Sequence, residues 1–319
     1  MKKFLCIMLS IVLMAAIFTG CGNNKNTADN GKINVVASIF PEYDFARAIA
    51  GDNANLSMLI APGASIHSFD PTPAQIRAAQ NADIFIYIGG ESDIWADNLL
   101  ASLDTSNMKI LRLMDFVENQ EEELKEGMEP EEEEADDGEE AEEAEYDEHI
   151  WTSPKNAVLL IDAIADALCE KDGDNADLYK TNAAAYQAEL QAVDEEIAAI
   201  VANAGRKKIV VADKFPFLYF VNQYGLDYAA AFSGCSDQTD ASAQTMAYLI
   251  NIVKNDQIPY VYYVELSNQS VADAISEQTG TGTLLLNSCH NVTKVEFDNG
   301  ATYLSLMKQN AENLRKGLN

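Results

Sequence analysis

Short apolar segments alternate with amphipathic segments along most of the chain. Several of the apolar segments are β-branched and compact, which is typical of buried strands. Between them, apolar positions recur every three or four residues, as on one face of an α-helix. Because strands separated by helices are typical of βαβ units, the pattern predicts an α/β fold with mainly parallel sheets. The predicted strands are residues 32–39, 56–60, 83–88, 109–112, 208–211, 228–232, 260–264 and 283–287.

The longest uninterrupted helical pattern covers residues 174–204, which contain no internal Gly or Pro. Apolar positions recur there at helical spacing from Tyr179 to Ile200. At 1.5 Å per residue, a helix of this length measures roughly 45 Å. We therefore expect two α/β lobes, residues 32–173 and 205–319, joined by one long helix.

The N-terminus has the pattern of an export signal. Lys2 and Lys3 precede an apolar run of about 15 residues, which is too short for a comfortable membrane span. Small residues then precede Cys21, as in bacterial lipoprotein signals. We expect residues 1–20 to be removed, Cys21 to carry a lipid at the outer face of the bacterial cytoplasmic membrane, and residues 21–31 to be a flexible tether. The alternative is an ordinary signal peptide with an incidental cysteine.

The chain is strongly acidic, with a formal net charge of −30. Residues 118–148 contain 19 Asp and Glu against the single Lys125, and so carry over half of that net charge. Because so dense a block of like charge repels itself, we expect residues 118–147 to be a solvated, disordered loop. The acidic balance also argues against a nucleic-acid partner, since few cations are present to neutralise phosphates.

Three cysteines lie in the part of the chain predicted to fold. Cys169 is on an apolar helical face and is expected to be a small buried residue. Cys235 and Cys289 each follow a strand-like run, in an exported protein whose surroundings permit disulfides. We expect these two to form a disulfide, which would fix the loop that carries His290.

The chain has three histidines, His67, His149 and His290, and each follows a predicted strand or begins a helix. Neutral imidazole is the commonest protein ligand of zinc and suits other late first-row metals. We therefore predict a metal site in the cleft where the carboxyl ends of the strands of both lobes meet. Asp213 or Glu265, each following a strand of the second lobe, could supply a fourth, oxygen ligand. Either could instead be a helix cap or a hydrogen-bond acceptor beside the site.

Several segments together resemble the metal-binding lipoproteins of bacterial zinc and manganese ABC importers, the cluster A-I family of solute-binding proteins. The resemblance covers residues 32–319 and includes the long helix. In that family the histidines at the places of His67 and His149 bind the metal, and the long helix keeps the lobes rigid. The other segments are VVASIFPEYDFARAIAG at 35–51, GASIHSFDPTPAQIRAAQNADIFIYIGG at 63–90, DEHIWTSPKNA at 147–157, YGLDYAA at 224–230 and ATYLSLMKQNAENLRKGL at 301–318.

The chain departs from the family pattern at the remaining ligands. The family has His or Glu shortly after the first strand of the second lobe, where this chain offers Asp213 or the adjacent Lys214. Asp213 fits the family register only with a one-residue insertion, and Lys214 cannot bind a metal while it is charged, so both alternatives stay open. The family's last ligand is a carboxylate, and His290 stands at about its place. Three histidines with one carboxylate favour Zn²⁺ over Mn²⁺, which prefers more oxygen ligands. The acidic run takes the place of the His-rich loop of zinc members.

The resemblance implies a monomeric binding protein, not an enzyme, that captures Zn²⁺ between its lobes and delivers it to the membrane permease of an ABC importer. One alternative is a manganese-specific protein of the same type. Another is a membrane-anchored zinc hydrolase, but that would need an open coordination position and a general base, and the sequence has no HExxH spacing. A third is an adhesin, for which the sequence has no repeat array, so that cell adhesion would be a secondary role.

Overall fold

The computed structural model describes residues 31–64, 69–128, 145–234, 236, 238 and 240–319. The predicted signal peptide, the predicted lipidation site Cys21, the predicted ligand His67 and Cys235 lie outside these ranges. Residues Ile33–Asn319 group into one compact unit. Within the described ranges, every helix is too short or too polar to cross a membrane.

The N-terminal lobe is built on a sheet of four parallel strands with helices on both of its faces. Its order is second, first, third and fourth strand. In register, Val35 of the first strand pairs with Leu56 on one side and Ile84 on the other. The elements are β1 (Ile33–Ala37), α1 (Phe40–Ala50), β2 (Ala54–Met58), α2 (Pro73–Gln80), β3 (Ile84–Tyr87), α3 (Ile94–Ala101), β4 (Lys109–Arg112) and α4 (Pro154–Lys171).

Successive side chains of each strand point to opposite faces of this sheet, as strand geometry requires. Val35 and Ile84 belong to the main core, which contains α1 and α4. Val36 and Phe85 belong to a smaller core on the other face, against α2 and α3. Burial on both faces explains why these strands are continuously apolar in the sequence.

The C-terminal lobe repeats the arrangement, with strands again in the order second, first, third and fourth. Val211 pairs with Ala230 on one side and Tyr262 on the other. Both sheets are parallel throughout, and the predicted α/β fold is confirmed. The elements are β5 (Lys208–Val211), α6 (Leu218–Tyr224), β6 (Asp227–Ala230), α7 (Ala243–Asn255), β7 (Tyr260–Tyr263), α8 (Ser270–Thr279), β8 (Gly282–Leu285), α9 (Lys294–Asp298) and α10 (Tyr303–Gly317).

The long helix α5 (Ala176–Asn203) has 28 residues and so measures about 42 Å. Its first part bonds to the N-terminal lobe, where Asn182 Nδ2 donates to the Ile49 carbonyl at 2.9 Å. Its later part bonds to the C-terminal lobe, where Tyr224 Oη donates to Asp194 Oδ1 at 2.7 Å. The buried face of α5 joins the main core, which extends through both lobes.

Two helices differ from the sequence-based expectation. The residue pattern predicts a helix over residues 43–50, whereas helix α1 begins at Phe40, because Pro41 is tolerated in a first turn and the Glu42 carboxylate accepts from the Ile39 amide at 2.7 Å. Helix α9 was not predicted. It has a capping box of Thr293 and Glu296, which is the sequence signal that would have found it.

The two ends of the acidic run differ from the expected solvated loop 118–147. Residues 118–128 and 145–148 are described, and Glu121 forms an antiparallel bridge with Tyr146. Lys125, the one cation of the run, pairs with Asp227 of the C-terminal lobe at 3.2 Å. These ends are ordered because backbone pairing and a few uncharged or basic side chains hold them in place. The net charge of the run does not reflect these contacts.

Candidate metal centre

His149 lies directly before a 3₁₀ turn (Ile150–Thr152) that leads into α4. Its ring is buried, with 3% of the residue exposed. Asp147 Oδ1 accepts from the His149 amide at 2.7 Å and lies 3.2 Å from His149 Nδ1. A carboxylate at Nδ1 fixes both the tautomer and the ring orientation, and makes Nε2 the nitrogen directed to a metal.

Two opposing effects set the protonation of His149. Burial disfavours the charged imidazolium, whereas the carboxylate of Asp147 favours it, and the net result is that the pKa of His149 is raised above its usual value. The same carboxylate that makes the imidazole a stronger metal ligand therefore also makes protons stronger competitors for it.

His290 lies in the loop of residues 286–292, after β8, and Glu265 holds that loop. The two Glu265 oxygens accept from the Ser288 amide at 2.7 Å and from the His290 amide at 3.0 Å. The Ser288 hydroxyl also donates to Glu265. Desolvation beside the cavity raises the pKa of the Glu265 carboxyl. With both oxygens engaged by the loop, Glu265 has the contacts of a support for His290 rather than those of a free metal ligand.

Trp151 connects the loops of the two histidines. The ring centroids of His149 and His290 are 5.8 Å apart, and the Trp151 ring lies 5.3 Å from each. Trp151 Nε1 donates to the Ser288 carbonyl at 2.8 Å, and the Tyr303 hydroxyl donates to the Trp151 carbonyl at 2.6 Å. The sequence singles out no such role for Trp151, although a buried indole N–H usually finds an acceptor.

Asp213 and Glu265 line the same cavity of about 400 Å³ as His149 and His290. Asp213 Oδ1 accepts from the Lys214 amide at 2.9 Å, and Oδ2 is 3.4 Å from the Val264 amide. Lys214 lines the cavity as well. Among the residues that the structure describes, no three His, Cys, Asp or Glu side chains converge closely enough to hold a metal ion. The described pair that the fold brings together is His149 with His290.

Asn291 joins the His290 loop to the N-terminal lobe. Its Nδ2 donates to the carbonyls of Ala61 and Ala64, at 3.2 and 2.9 Å. Ala64 is the last described residue before His67. Ala64, three residues before His67 in the sequence, is therefore held beside the loop that carries His290.

Cys289 is a free thiol and completely buried in the main core, and burial raises its pKa well above the usual value. The structure does not show the expected disulfide with Cys235, which lies outside the described residues. The His290 loop is fixed by other means, since Asn287 exchanges two hydrogen bonds with the Asn310 side chain, at 2.8 and 2.7 Å. Cys169 is likewise free and is half-buried.

A group of buried carboxyls lies beside His149, and the sequence pattern does not reveal it. Burial raises the pKa of Glu148 to about 7 and that of Asp93 to about 6, and it also raises the pKa of Glu42. The Ser92 amide donates to Glu148 at 2.6 Å. Gly90 has a φ of +131°, and a Cβ there would lie 2.6 Å from the Glu148 side chain, so glycine is required for this approach.

A family model described as zinc-uptake complex component A, periplasmic, matches residues 35–317. The chain belongs to this family. The zinc-binding lipoprotein AdcA of Streptococcus pneumoniae is 33% identical over an alignment of 319 positions, which covers 99% of this chain and 61% of AdcA. The high-affinity zinc uptake system protein ZnuA of Bacillus subtilis is 30% identical, and the match covers 97% of both chains.

A crystal structure of the Zn(II)-bound ZnuA-like domain of Streptococcus pneumoniae AdcA has the same fold. It superposes with a TM-score of 0.73 and 30% identity, covering 90% of this chain and 99% of that domain. The chain spans about 61% of the length of the AdcA relatives. The family predicted from the sequence motifs is confirmed, whereas the ligand assignments to individual residues remain predictions.

Proposed function

We propose that this member of the zinc-uptake family captures Zn²⁺ in the cavity between its lobes and delivers it to the membrane permease of an ABC importer. The observation that carries the proposal is the approach of His149 and His290, which come from different lobes and whose rings lie 5.8 Å apart. The names of the relatives, which bind zinc or belong to a zinc uptake system, agree with it.

The proposed ligands are His67, His149, His290 and Asp213. Imidazole nitrogens and one carboxylate form a set of four that suits the tetrahedral preference of Zn²⁺. Mn²⁺ prefers more oxygen ligands and is the weaker candidate for this set. Glu265 is proposed as the support of the His290 loop, because its oxygens accept three hydrogen bonds from Ser288 and His290. Within the described part of the chain, each Asp213 oxygen accepts only one, and the one from Val264 is long, at 3.4 Å.

We propose binding rather than catalysis for this site. Four protein ligands leave no coordination position for the water that a zinc hydrolase activates. The orientation of His149 by Asp147, at 3.2 Å from Nδ1, serves tight binding equally well without any reaction.

The proposal includes export, a lipid anchor at Cys21, and action as a single copy with a permease. It is supported by the sequence pattern before Cys21, by the periplasmic description of the family, and by the lipoprotein name of the AdcA relative. Adhesion is not needed to explain any feature of the described residues.

The test is zinc titration of the purified protein and of the variants His149→Ala and His290→Ala. Loss of a direct ligand should weaken the dissociation constant for Zn²⁺ by more than about 100-fold, beyond what outer-sphere changes cost. Competition with a chromophoric chelator measures this constant, and circular dichroism checks the zinc-free fold. Asn299→Ala, on the surface of the C-terminal lobe, is the control. Unchanged zinc affinity in both histidine variants, or tighter binding of Mn²⁺ than Zn²⁺ by the unaltered protein, would contradict the proposal.

A further inference from the structure

The described ends of the acidic run form a strap, defined here as residues 118–128 and 145–148, which is paired with itself. Glu121 and Tyr146 form the antiparallel bridge, the Glu122 amide donates to the Glu145 carbonyl at 2.8 Å, and the Asp147 amide donates to the Gln120 carbonyl at 2.9 Å. The segment that leaves the N-terminal lobe after β4 thus lies beside the segment that returns to His149.

The strap is fastened to the C-terminal lobe at several points. Lys125 Nζ lies 3.9 Å from the centroid of the Tyr228 ring and pairs with Asp227 at 3.2 Å. The Tyr228 hydroxyl donates to the Glu123 carbonyl at 3.3 Å. Asn222 Nδ2 donates to Gln120 Oε1 at 2.6 Å. These contacts hold the strap although its charge would favour a solvated chain.

Tyr219 is the contact that reaches both segments of the strap at once. Its hydroxyl accepts from the Gln120 amide at 3.0 Å and donates to the Asp147 carbonyl at 2.9 Å. The residue is 1% exposed, and burial raises its pKa to about 12, so the hydroxyl keeps its proton at neutral pH. Asp147, which Tyr219 holds through the backbone, is the residue whose carboxylate orients His149.

We propose that Tyr219 is a positioning residue for metal capture, acting through Asp147 on His149. The inference rests on the proposed zinc-binding function. Tyr219 lies in α6 of the C-terminal lobe, and His149 precedes α4 of the N-terminal lobe. Through the strap, the orientation of His149 in the N-terminal lobe therefore depends on the Tyr219 hydroxyl of the C-terminal lobe. The ordered ends of the acidic run thereby have a role in the site.

The experiment compares Tyr219→Phe with the matched control Tyr228→Phe. Each substitution removes one hydroxyl that donates to a strap carbonyl, but the bond of Tyr228 is to Glu123, in the segment that does not lead to Asp147. We expect Tyr219→Phe to weaken Zn²⁺ binding about 10- to 100-fold, the range for groups that orient ligands. Tyr228→Phe should change it less than about two-fold, and both zinc-free proteins should keep similar melting temperatures.

A double variant tests whether the effect passes through Asp147. If it does, Tyr219→Phe combined with Asp147→Asn should bind Zn²⁺ little more weakly than Asp147→Asn alone, because coupled groups are not additive. The d–d absorption of bound Co²⁺ reports the ligand geometry separately from affinity, and should change in Tyr219→Phe only. Wild-type affinity in Tyr219→Phe, equal losses in both tyrosine variants, or full additivity in the double variant would overturn the inference. Failure of the unaltered protein to bind Zn²⁺ would instead reject the proposed function.

Discussion

At the residue scale, several polar side chains at or near the cavity hold backbone groups in place. Glu265 accepts from the loop of His290, Asn291 donates to Ala61 and Ala64, and Asp93 Oδ2 accepts from the amides of Ile88 and Gly89 at 2.9 and 3.1 Å. Buried backbone groups need such partners, since leaving one unpaired costs about 1–3 kcal/mol. Charged side chains supply them here at the cost of their own desolvation.

That cost gives a pH-dependent prediction for Asp93. Burial raises its pKa to about 6 from the usual 3.8, so the folded state binds the proton more tightly than the unfolded state does. Stability from this group is therefore highest below about pH 4 and is lost as pH rises through about 6, by about 3 kcal/mol in total. Asp93→Asn keeps an acceptor oxygen and avoids the loss. Its unfolding free energy relative to wild type should increase from pH 4 to pH 7 in urea denaturation, and a flat difference would contradict this. Exposed Asp52→Asn is the control.

At the scale of elements, the loop after β8 shows how a loop without regular structure is held rigid. Glu265, Trp151 and Asn310 bond to it from three different segments of the chain, and its own Asn291 donates to Ala61 in a fourth segment. Cys289 has a φ of +61° in the middle of the loop, a left-handed conformation that the surrounding bonds maintain. These bonds replace the disulfide that the cysteine positions had suggested.

Trp151→Phe tests the contribution of one of these bonds. Phenylalanine keeps an aromatic ring near His149 and His290 but cannot donate to the Ser288 carbonyl, which Trp151 Nε1 contacts at 2.8 Å. We expect a loss of about 2 kcal/mol in unfolding free energy, from the unpaired carbonyl and the smaller ring, together with weaker zinc binding. Denaturation followed by circular dichroism and a zinc titration measure the two effects.

The other tryptophan of the chain provides the control for that variant. The aromatic contact of Trp95 is with Phe69, at a centroid distance of 4.6 Å. Trp95→Phe should therefore leave zinc affinity unchanged. Equal zinc affinity in Trp151→Phe and Trp95→Phe would show that the indole bond to the His290 loop is not needed for binding.

At the scale of the whole molecule, the two sheets share one core. The main core includes Ile84 and Ile86 of the first sheet, Ile209 and Val211 of the second, and the buried face of α5 between them. A shared core couples the lobes, because disturbing the helix removes contacts from both. This coupling agrees with the proposed site, whose ligands would come from both lobes and would have to keep their relative positions.

Ile197→Ala tests this coupling. Ile197 is completely buried in α5, and loss of its side chain should cost about 2–5 kcal/mol. Hydrogen exchange followed by mass spectrometry should then show faster exchange in both β3 and β5, with Gln191→Ala, on the exposed side of α5, as the control. Faster exchange confined to β5 would indicate that the lobes have separate cores.

The sequence by itself determined the strands, the long helix, the α/β class and the family, because local periodicity or contiguous motifs are enough to recognise each of them. It also singled out His149 and His290, since histidines after strands are visible one at a time. Tertiary structure decided which residues support them. Asp147 and Glu265 orient the two histidines through bonds that, for Glu265, span 25 residues of sequence.

Two further features, the ends of the acidic run and the state of Cys289, also depend on tertiary structure. The ends of the acidic run are ordered because Tyr219, Asn222 and Asp227 lie where the strap passes, and no count of charges contains that information. Cys289 is a free thiol whose side chain packs into the main core, and its place after a strand-like run does not reveal this. Contacts between residues that are far apart in the sequence depend on where the fold places them. The periodicity of apolar residues along the chain does not predict these contacts.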